Sequence, residues 1–307
     1  MSVIILNYKR LDALAQCLDT AVAQDYPNYE IIVVDNHSEE DVRSLVEAKG
    51  RNIRLVELPQ NLGTCGGRNA GINVARGEII VTIDNDVNFI TPHELTNIVR
   101  VFADHPEFHV LTFRICDMQG RLRLREWCHP RYWKDFSEKE FETTFLPEGA
   151  SAYRREVFER AGLYFQPFFI GHEGGDLALR IMDHGLRILY APSVRVGHLA
   201  SEETRSSSRT IHLYTRNYIW LAYKDYPLLS ALRFVLPKLA MMLYHAFRAS
   251  HLPEYFRGIW DGLTGLADIH GDRTPISKAT LRYVNGLEKT RPSLRVRLER
   301  HRAQPQI

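Results

Sequence analysis

The sequence predicts an α/β fold, a mainly parallel central sheet flanked by helices, with a helical C-terminal extension. Three observations predict it. Short, continuously apolar runs alternate with helix-spaced segments over the first hundred residues, the pattern of parallel strands covered on both faces. Three of those runs stop at polar residues, namely Asn7, Asp35, and Asp84 with Asp86. Ligands of such sheets gather at the carboxyl ends of the strands. After Ser201 the texture changes to long helical segments near 209–225, 228–250 and 253–268.

The elements follow in order. Residues 2–6 are an apolar run ending at Asn7-Tyr8. Residues 11–23 place Leu11, Leu14, Ala15, Leu18 and Val22 at helical spacing, and Asp25-Tyr26-Pro27-Asn28 breaks that helix. Ile31-Ile32-Val33-Val34 is a second strand, stopped by Asp35-Asn36. A helix over roughly 39–48, a strand over 53–58 and a fourth strand at Ile79-Ile80-Val81-Thr82-Ile83 complete the regular part. Residues 108–114 read as a further strand. The segment 117–148 is charged, aromatic and without a period, a loop or hairpin over the site. Its Trp127 and Trp133 either cover an acceptor or form a satellite core. Leu177, Leu179, Ile181 and Met182 predict a helix over 173–184, ended by Gly185, with strand-like 188–190 and 194–196 behind it. The organisation predicted is a domain over 1–204, with halves of about 1–115 and 116–204, an extension over 205–290 and a basic tail over 291–307.

Composition narrows the function classes. Hydrophobic residues make up 45% and charged residues 25%, which excludes a disordered or collagen-like chain. No apolar run of 18 residues is free of charge, which argues against a simple membrane-spanning helix. The first residues read as a strand and not as a signal peptide. Cys17, Cys65, Cys116 and Cys128 have no metal-ligand spacing and read as buried cytosolic thiols. The net charge of +2 hides an asymmetry: from residue 205 onward there are 17 Lys and Arg against 7 Asp and Glu. That basic half suits anionic lipid, nucleic acid, a phosphorylated substrate or a plain solvated surface.

Candidate chemistry sits on acids at strand ends. Asp84 and Asp86 are one residue apart after an apolar strand, so both can reach a hard cation such as Mg²⁺ or Mn²⁺ that bridges to substrate phosphate. Turn chemistry also produces this pattern. Asp35 can accept from a pyrimidine ring N–H, or equally cap the next helix. Gly63, Gly66, Gly67 and Gly71 allow close backbone approach, and Arg68 among them can neutralise phosphate. No Gly-Lys-Ser/Thr follows, so this is not a Walker loop. A ligand-free mobile turn is the other reading of these glycines.

Taken together, these segments resemble an inverting family-2 glycosyltransferase with the GT-A fold, of the rhamnosyltransferase-like kind. The resemblance rests on Val3-Ile4-Ile5-Leu6-Asn7-Tyr8, Val33-Val34-Asp35-Asn36-x-Ser38, Asn61-x-Gly63 with Arg68-Asn69-x-Gly71, and Asp84-x-Asp86. It continues through Gly149-Ala150, Arg155-Glu156-Val157-Phe158, Gly162 and Glu173-Gly174-Gly175-Asp176-Leu177-x-Leu179-Arg180, and spans about residues 1–200. Arg216-Asn217-Tyr218-Ile219-Trp220 resembles the segment that follows the catalytic domain in many bacterial members.

The resemblance implies roles. Asn7, Asp35, Arg68 and Asp84 would bind the nucleotide-sugar, with Asp35 on the nucleobase and Asp84 near ribose and metal. Asp86, with Asp84 and His198, would hold a divalent metal, Mg or Mn. Glu173 and Asp176 are the catalytic candidates, with Glu173 the preferred base because it opens a helix. Asp176 is also spaced to hold Arg180. Many relatives carry two adjacent acids where this chain has Glu173-Gly174, so one acid is absent. The donor implied is a UDP- or dTDP-sugar and the acceptor a glycan or a lipid-linked sugar. The place implied is the cytoplasm, peripheral on the inner membrane face, and residues 228–249 with Arg233, Lys238 and Arg248 suit an anionic interface. Two rivals exist. A nucleotidyltransferase would need a Gly-rich loop after the first strand, where this chain has Asn7-Tyr8-Lys9-Arg10. A catalytically silent sugar-nucleotide-binding protein has the Glu173-Gly174 departure as its support. Nucleic acid is not an expected partner, having only the basic C-terminal region in its favour.

Overall fold

The computed structural model describes residues 1–50, 52–199, 207–293 and 296. The boundary expected near 204, with Ser206, and most of the basic tail lie outside the described residues. The elements run β1 (Ser2–Asn7), α1 (Leu11–Val22), β2 (Glu30–Asp35), α2 (Val42–Lys49), β3 (Ile53–Glu57), α3 (Gly63–Val74), β4 (Ile79–Asp84), β5 (Val87–Phe89) and α4 (Glu94–Asp104). They continue as β6 (Val110–Cys116), α5 (Trp133–Phe136), β7 (Phe141–Glu142), β8 (Ala150–Arg154), α6 (Glu156–Ala161), α7 (Glu173–Asp183) and β9 (Ile188–His198). Four helices follow: α8 (Ser208–Asp225), α9 (Leu228–Arg248), α10 (Leu252–Thr264) and α11 (Lys278–Glu288).

The sheet order is β3-β2-β1-β4-β8-β6-β9-β5, with β7 also on β9. β1 to β4 are parallel, as their unbroken apolar runs predict. Successive side chains on a strand point to opposite faces, so one strand feeds two layers. Ile4, Leu6, Ile32 and Val34 join the layer with α3, α6 and α7. Val3, Ile5, Ile31 and Val33 join the layer with α1, α2 and α4. The other half of the sheet is mixed. β8 lies antiparallel between β4 and β6, pairing Ala150 with Ile83. It therefore begins at the edge where β4 ends, which brings Glu148 and Gly149 to the carboxyl edge of the parallel strands.

Two readings are corrected and one open alternative is decided. The glycine segment is the helix α3, not a loose turn. Its glycines let a helix lie directly on β1: a Cβ on Gly71 would stand 2.5 Å from Ile4 Cγ2, and one on Gly67 closer still to Leu6 Cδ1. The two strand-like stretches 188–190 and 194–196 are one strand, β9, whose register to β6 shifts between Phe113 and Arg114. The aromatics of 117–148 form a satellite core, in which Trp127 and Trp133 bury against Phe141 and Tyr190. Helices α4 and α11 were not foreseen.

The C-terminal helices bear on the site. Asn217 of α8 donates to three carbonyls of the loop before α7: Phe168 (3.0 Å), Ile170 (2.9 Å) and Gly171 (2.8 Å). That loop holds Phe169 and His172 at positive φ, a conformation that needs such outside support. Among the described residues α9 alone is long and apolar enough to cross a membrane, judged by length and composition, and only 17% of it is buried. It runs through Pro237. Leu228, Leu232, Leu236 and Phe247 on α9, and Phe256 and Trp260 on α10, are all exposed.

Candidate active site

The strand ends build one edge of the site. Asn7 and Asp35 are register partners on β1 and β2. The Asn7 amide donates to Asp35 Oδ1 (3.0 Å) and Ser38 Oγ (2.9 Å), and its Oδ1 accepts from Asn85 Nδ2 (2.8 Å). Ser38 donates through both its hydroxyl and its backbone N–H to Asp35. So Asp35 is held by the turn that follows it and by its neighbour strand, and it does not cap the next helix: that cap is Asp41, whose side chain accepts from Ser44 N–H. Next to it, Asn36 ties β2 to α3: its amide donates to Gly63 O (3.0 Å) and its Oδ1 accepts from Leu62 N–H (2.9 Å).

Asp84, at the end of β4, accepts from Arg68 Nη2 at 2.6 Å. Arg68 lies on the sheet-facing side of α3 and is 2% exposed. Burial disfavours its charge, but Asp84, Tyr164 and Glu173 more than compensate and keep it protonated. Its Nη1 is 3.5 Å from Glu173 Oε1. The guanidinium thus reaches the open edge only through Asp84. Glu173 opens α7, as expected, but is buried, its Oε1 accepting from the Thr64 hydroxyl. Its Oε2 is buried without a hydrogen-bond partner. Asp176 is sealed completely and grips Arg180 (Nη2, 2.6 Å) and Lys224 of α8. Burial would raise its carboxyl, yet those two cations hold it below the usual range. The four-residue contact to Arg180 is as predicted; the structure does not bring Asp176 to the open edge.

Asp86 and His198 meet on the other side. Val87 pairs with His198 across β5 and β9, which sets Asp86 Oδ2 3.5 Å from His198 Nε2. His198 Nδ1 lies 2.9 Å from Glu126 Oε2, and Arg10 Nη1 donates to Asp86 Oδ2 at 2.8 Å. Burial would raise the Asp86 carboxyl, but His198 and Arg10 hold it below the usual range. Burial would likewise lower His198, but the Asp86 and Glu126 carboxylates raise it to about 9. The carboxylate oxygen suits Mg²⁺ or Mn²⁺ and the imidazole nitrogen favours the softer Mn²⁺ of the two, and these two atoms are close enough to ligate one small cation. Asp84 is turned to Arg68 instead, and among the described residues no group of three His, Cys, Asp or Glu is arranged to hold a metal ion.

Sequence reasoning missed five participants. Arg10 and Lys9 stand at positive φ in a loop without glycine, a strain no pattern signals. Glu126 and Thr64 have no motif. Glu148 immediately precedes the quoted Gly149-Ala150, and that adjacency was its only signal. Burial and the Glu173 charge push the Glu148 carboxyl up to about 8, against the pull of Arg68. The cysteines are free, and Cys17, Cys65 and Cys116 are buried.

The same architecture recurs in solved structures. The mannosyltransferase PcManGT from Pyrobaculum calidifontis, in complex with GDP-Man and Mn²⁺, superposes with a TM-score of 0.59 at 21% identity, covering 97% of this chain and 85% of that one. Residues 1–349 of S. aureus TarS, in complex with UDP, give 0.58 at 17% identity, covering 99% and 91%. At these identities the likeness speaks for the GT-A fold. Among curated sequences, the uncharacterized glycosyltransferase YwdF of Bacillus subtilis is 26% identical over 71% of this chain and 81% of its own length. The succinoglycan biosynthesis protein ExoO of Rhizobium meliloti is 30% identical over 51% of this chain and 47% of its own. WfaP of Escherichia coli, a UDP-Glc:alpha-D-GlcNAc-diphosphoundecaprenol beta-1,3-glucosyltransferase, is 30% identical over 30% and 37%. The chain thus spans about half or less of ExoO and WfaP. The model of glycosyl transferase family 2 matches residues 2–162. That match covers more than half of the chain and takes in β1 to β4 with their acidic ends, so the protein belongs to glycosyl transferase family 2.

Proposed function

We propose that this protein is a metal-dependent inverting glycosyltransferase. It moves a hexosyl or rhamnosyl residue from a UDP- or dTDP-sugar to a glycan or lipid-linked acceptor in bacterial surface polysaccharide synthesis. The observation that carries the reading is the single edge on which Asn7, Asp35 and Asp84 stand, linked by Asn85 and Arg68. ExoO, by its name, acts in succinoglycan biosynthesis, and WfaP glucosylates alpha-D-GlcNAc-diphosphoundecaprenol. Residues 1–204 form the catalytic unit, with the donor on the 1–115 side.

Asp35 receives the base and Asp84 the ribose side, with Asn7 holding Asp35 in place. Arg68 acts on the donor through Asp84. Asp86 and His198 would hold the divalent cation, which would neutralise charge on the departing diphosphate. Arg10 holds the Asp86 carboxylate in place. A carboxylate at the acceptor edge takes the acceptor proton during a single inverting displacement.

A nucleotide-sugar panel scored for binding and nucleotide release, with and without chelator, tests this. Release of one nucleotide only when divalent metal is present is expected. No binding of any donor, or full activity in chelator, overturns the reading. The exposed apolar faces of α9 and α10 beside basic residues support a peripheral position on the cytoplasmic membrane surface. Co-sedimentation with anionic vesicles at low salt checks that placement, and its absence removes it.

A further inference from the structure

The relatives' second acid is missing here because residue 174 is glycine, and the structure shows what stands in its place. A Cβ on Gly174 would come within 2.6 Å of Glu148 Cδ, and closer still to Glu148 Oε1 and Leu146 O. The Gly174 N–H donates to Glu148 Oε1. The carboxylate of Glu148 therefore lies where the side chain of residue 174 would begin. It arrives from the segment entering β8, whose first residue Ala150 sits beside Ile83 at the carboxyl edge. Its neighbour Gly149 is packed against Asp84: a Cβ there would stand 2.6 Å from Asp84 Cγ.

The other acids near this edge are committed elsewhere. Asp176 is fully buried between Arg180 and Lys224. Glu173 is 4% exposed and held by Thr64 and Arg68. Glu148 alone of the three is a partly exposed residue, with its carboxyl set deep enough for burial to raise it. A general base must touch the incoming hydroxyl, so exposure at the edge counts for more than acidity within it.

We propose that Glu148 is the catalytic base, supplied from the β8 segment in place of an acid at position 174. The proposal rests on the glycosyltransferase reading above. In the step, the acceptor hydroxyl oxygen bonds to the anomeric carbon. The bond from that carbon to the diphosphate oxygen breaks, and its electron pair leaves with the nucleoside diphosphate. The acceptor proton passes to the Glu148 carboxylate, which later returns it to solvent. Glu173 is a positioning residue: its charge beside Glu148 keeps the proton affinity of Glu148 near the working pH.

The test uses the full chain, the donor identified by the panel and water as the acceptor, so no knowledge of the natural acceptor is needed. Nucleotide release is followed from pH 5.5 to 9.5 for wild type, Glu148→Gln, Glu148→Asp and Glu173→Gln, beside donor affinity. Glu148→Gln is expected to bind donor within about threefold of wild type and to release nucleotide about 10²–10⁴-fold more slowly. It loses the limb of the pH profile that rises toward pH 8. Glu148→Asp, which keeps a carboxylate and serves if the Gln variant does not fold, retains that limb at a reduced rate. Glu173→Gln keeps the limb but moves it to lower pH. Glu148→Gln releasing nucleotide at the wild-type rate with an unchanged profile overturns the proposal while leaving the glycosyltransferase reading intact. A wild-type chain that binds no nucleotide-sugar overturns that reading and the proposal with it.

Discussion

The edge formed by β1, β2 and β4 and the edge formed by the start of α7 hold their acids in opposite ways. On the first, each acid has its own partners: Asp35 has Asn7 and Ser38, Asp84 has Arg68, and Asp86 has Arg10 and His198. On the second, Glu148 and Glu173 lean on the one arginine that Asp84 already uses, and only Asp176 is fully neutralised. A platform whose charges are balanced locally can receive a charged donor without rearranging. An edge with surplus negative charge holds a proton close to neutrality, which is the property proton transfer needs.

The sharpest way to break the contrast is at its most rigid point. Asp176→Asn strips the carboxylate that Arg180 and Lys224 share and leaves the almost wholly buried Lys224 with Asp225 alone, at 2.8 Å. Breaking a buried pair by removing one partner costs about 3–5 kcal/mol, so the melting temperature should fall by roughly 10 °C. A thermal unfolding scan checks this, and a fall below about 2 °C means that the pair does not hold α7 to α8.

The next largest effect is on the platform. Asp86→Ala removes the carboxylate that His198 and Arg10 share. Mn²⁺ affinity, measured by calorimetry in the presence of UDP, should weaken by at least about 100-fold, since losing a ligand exceeds the cost of losing its supporting contacts. Equal affinity in the variant would take Asp86 out of the metal site.

The smallest effect reads the surplus charge itself. The Glu148 carboxyl is raised from 4.5 to about 8. Between those values the folded chain keeps a proton that the unfolded chain has released. Stability from this group is therefore undiminished below about pH 4.5, falls as pH rises and is fully lost above about pH 8. Glu148→Gln cannot titrate. Its melting temperature relative to wild type should be higher at pH 9 than at pH 5. A constant difference across that range would sink the account of Glu148 as a strained acid.

The same division decides how much was legible beforehand. The platform could be read because parallel strands leave unbroken apolar runs, and a run that ends in Asp or Asn announces its own carboxyl end. β1, β2 and β4 with Asn7, Asp35 and Asp84 came from that signal. The α7 edge could not be read in the same way. Glu148 reaches it by way of a strand inserted antiparallel between β4 and β6, and no local pattern says which strand pairs with which. Arg10 and Glu126 come from loops, where contact depends on backbone angles that composition does not encode. Helix α3 was misread for a different reason. Glycine argues against a helix when propensity is counted residue by residue, and here packing against β1 overrides it.

That override bears on the order in which the molecule assembles. Glycine costs a helix about 1 kcal/mol relative to alanine, and α3 carries Gly63, Gly66, Gly67 and Gly71 within twelve residues. Such a segment has no helical life of its own in the unfolded chain. It winds only once Ile4, Leu6 and Val34 are present as a surface for Gly67 and Gly71 to lie on. Thr64 and Arg68 are thus carried to Glu173 and Asp84 late, after β1 and β2 have paired. In hydrogen exchange the α3 amides would open as a unit ahead of the strands beneath them. A partial unfolding of that kind disconnects the two edges while the sheet stands.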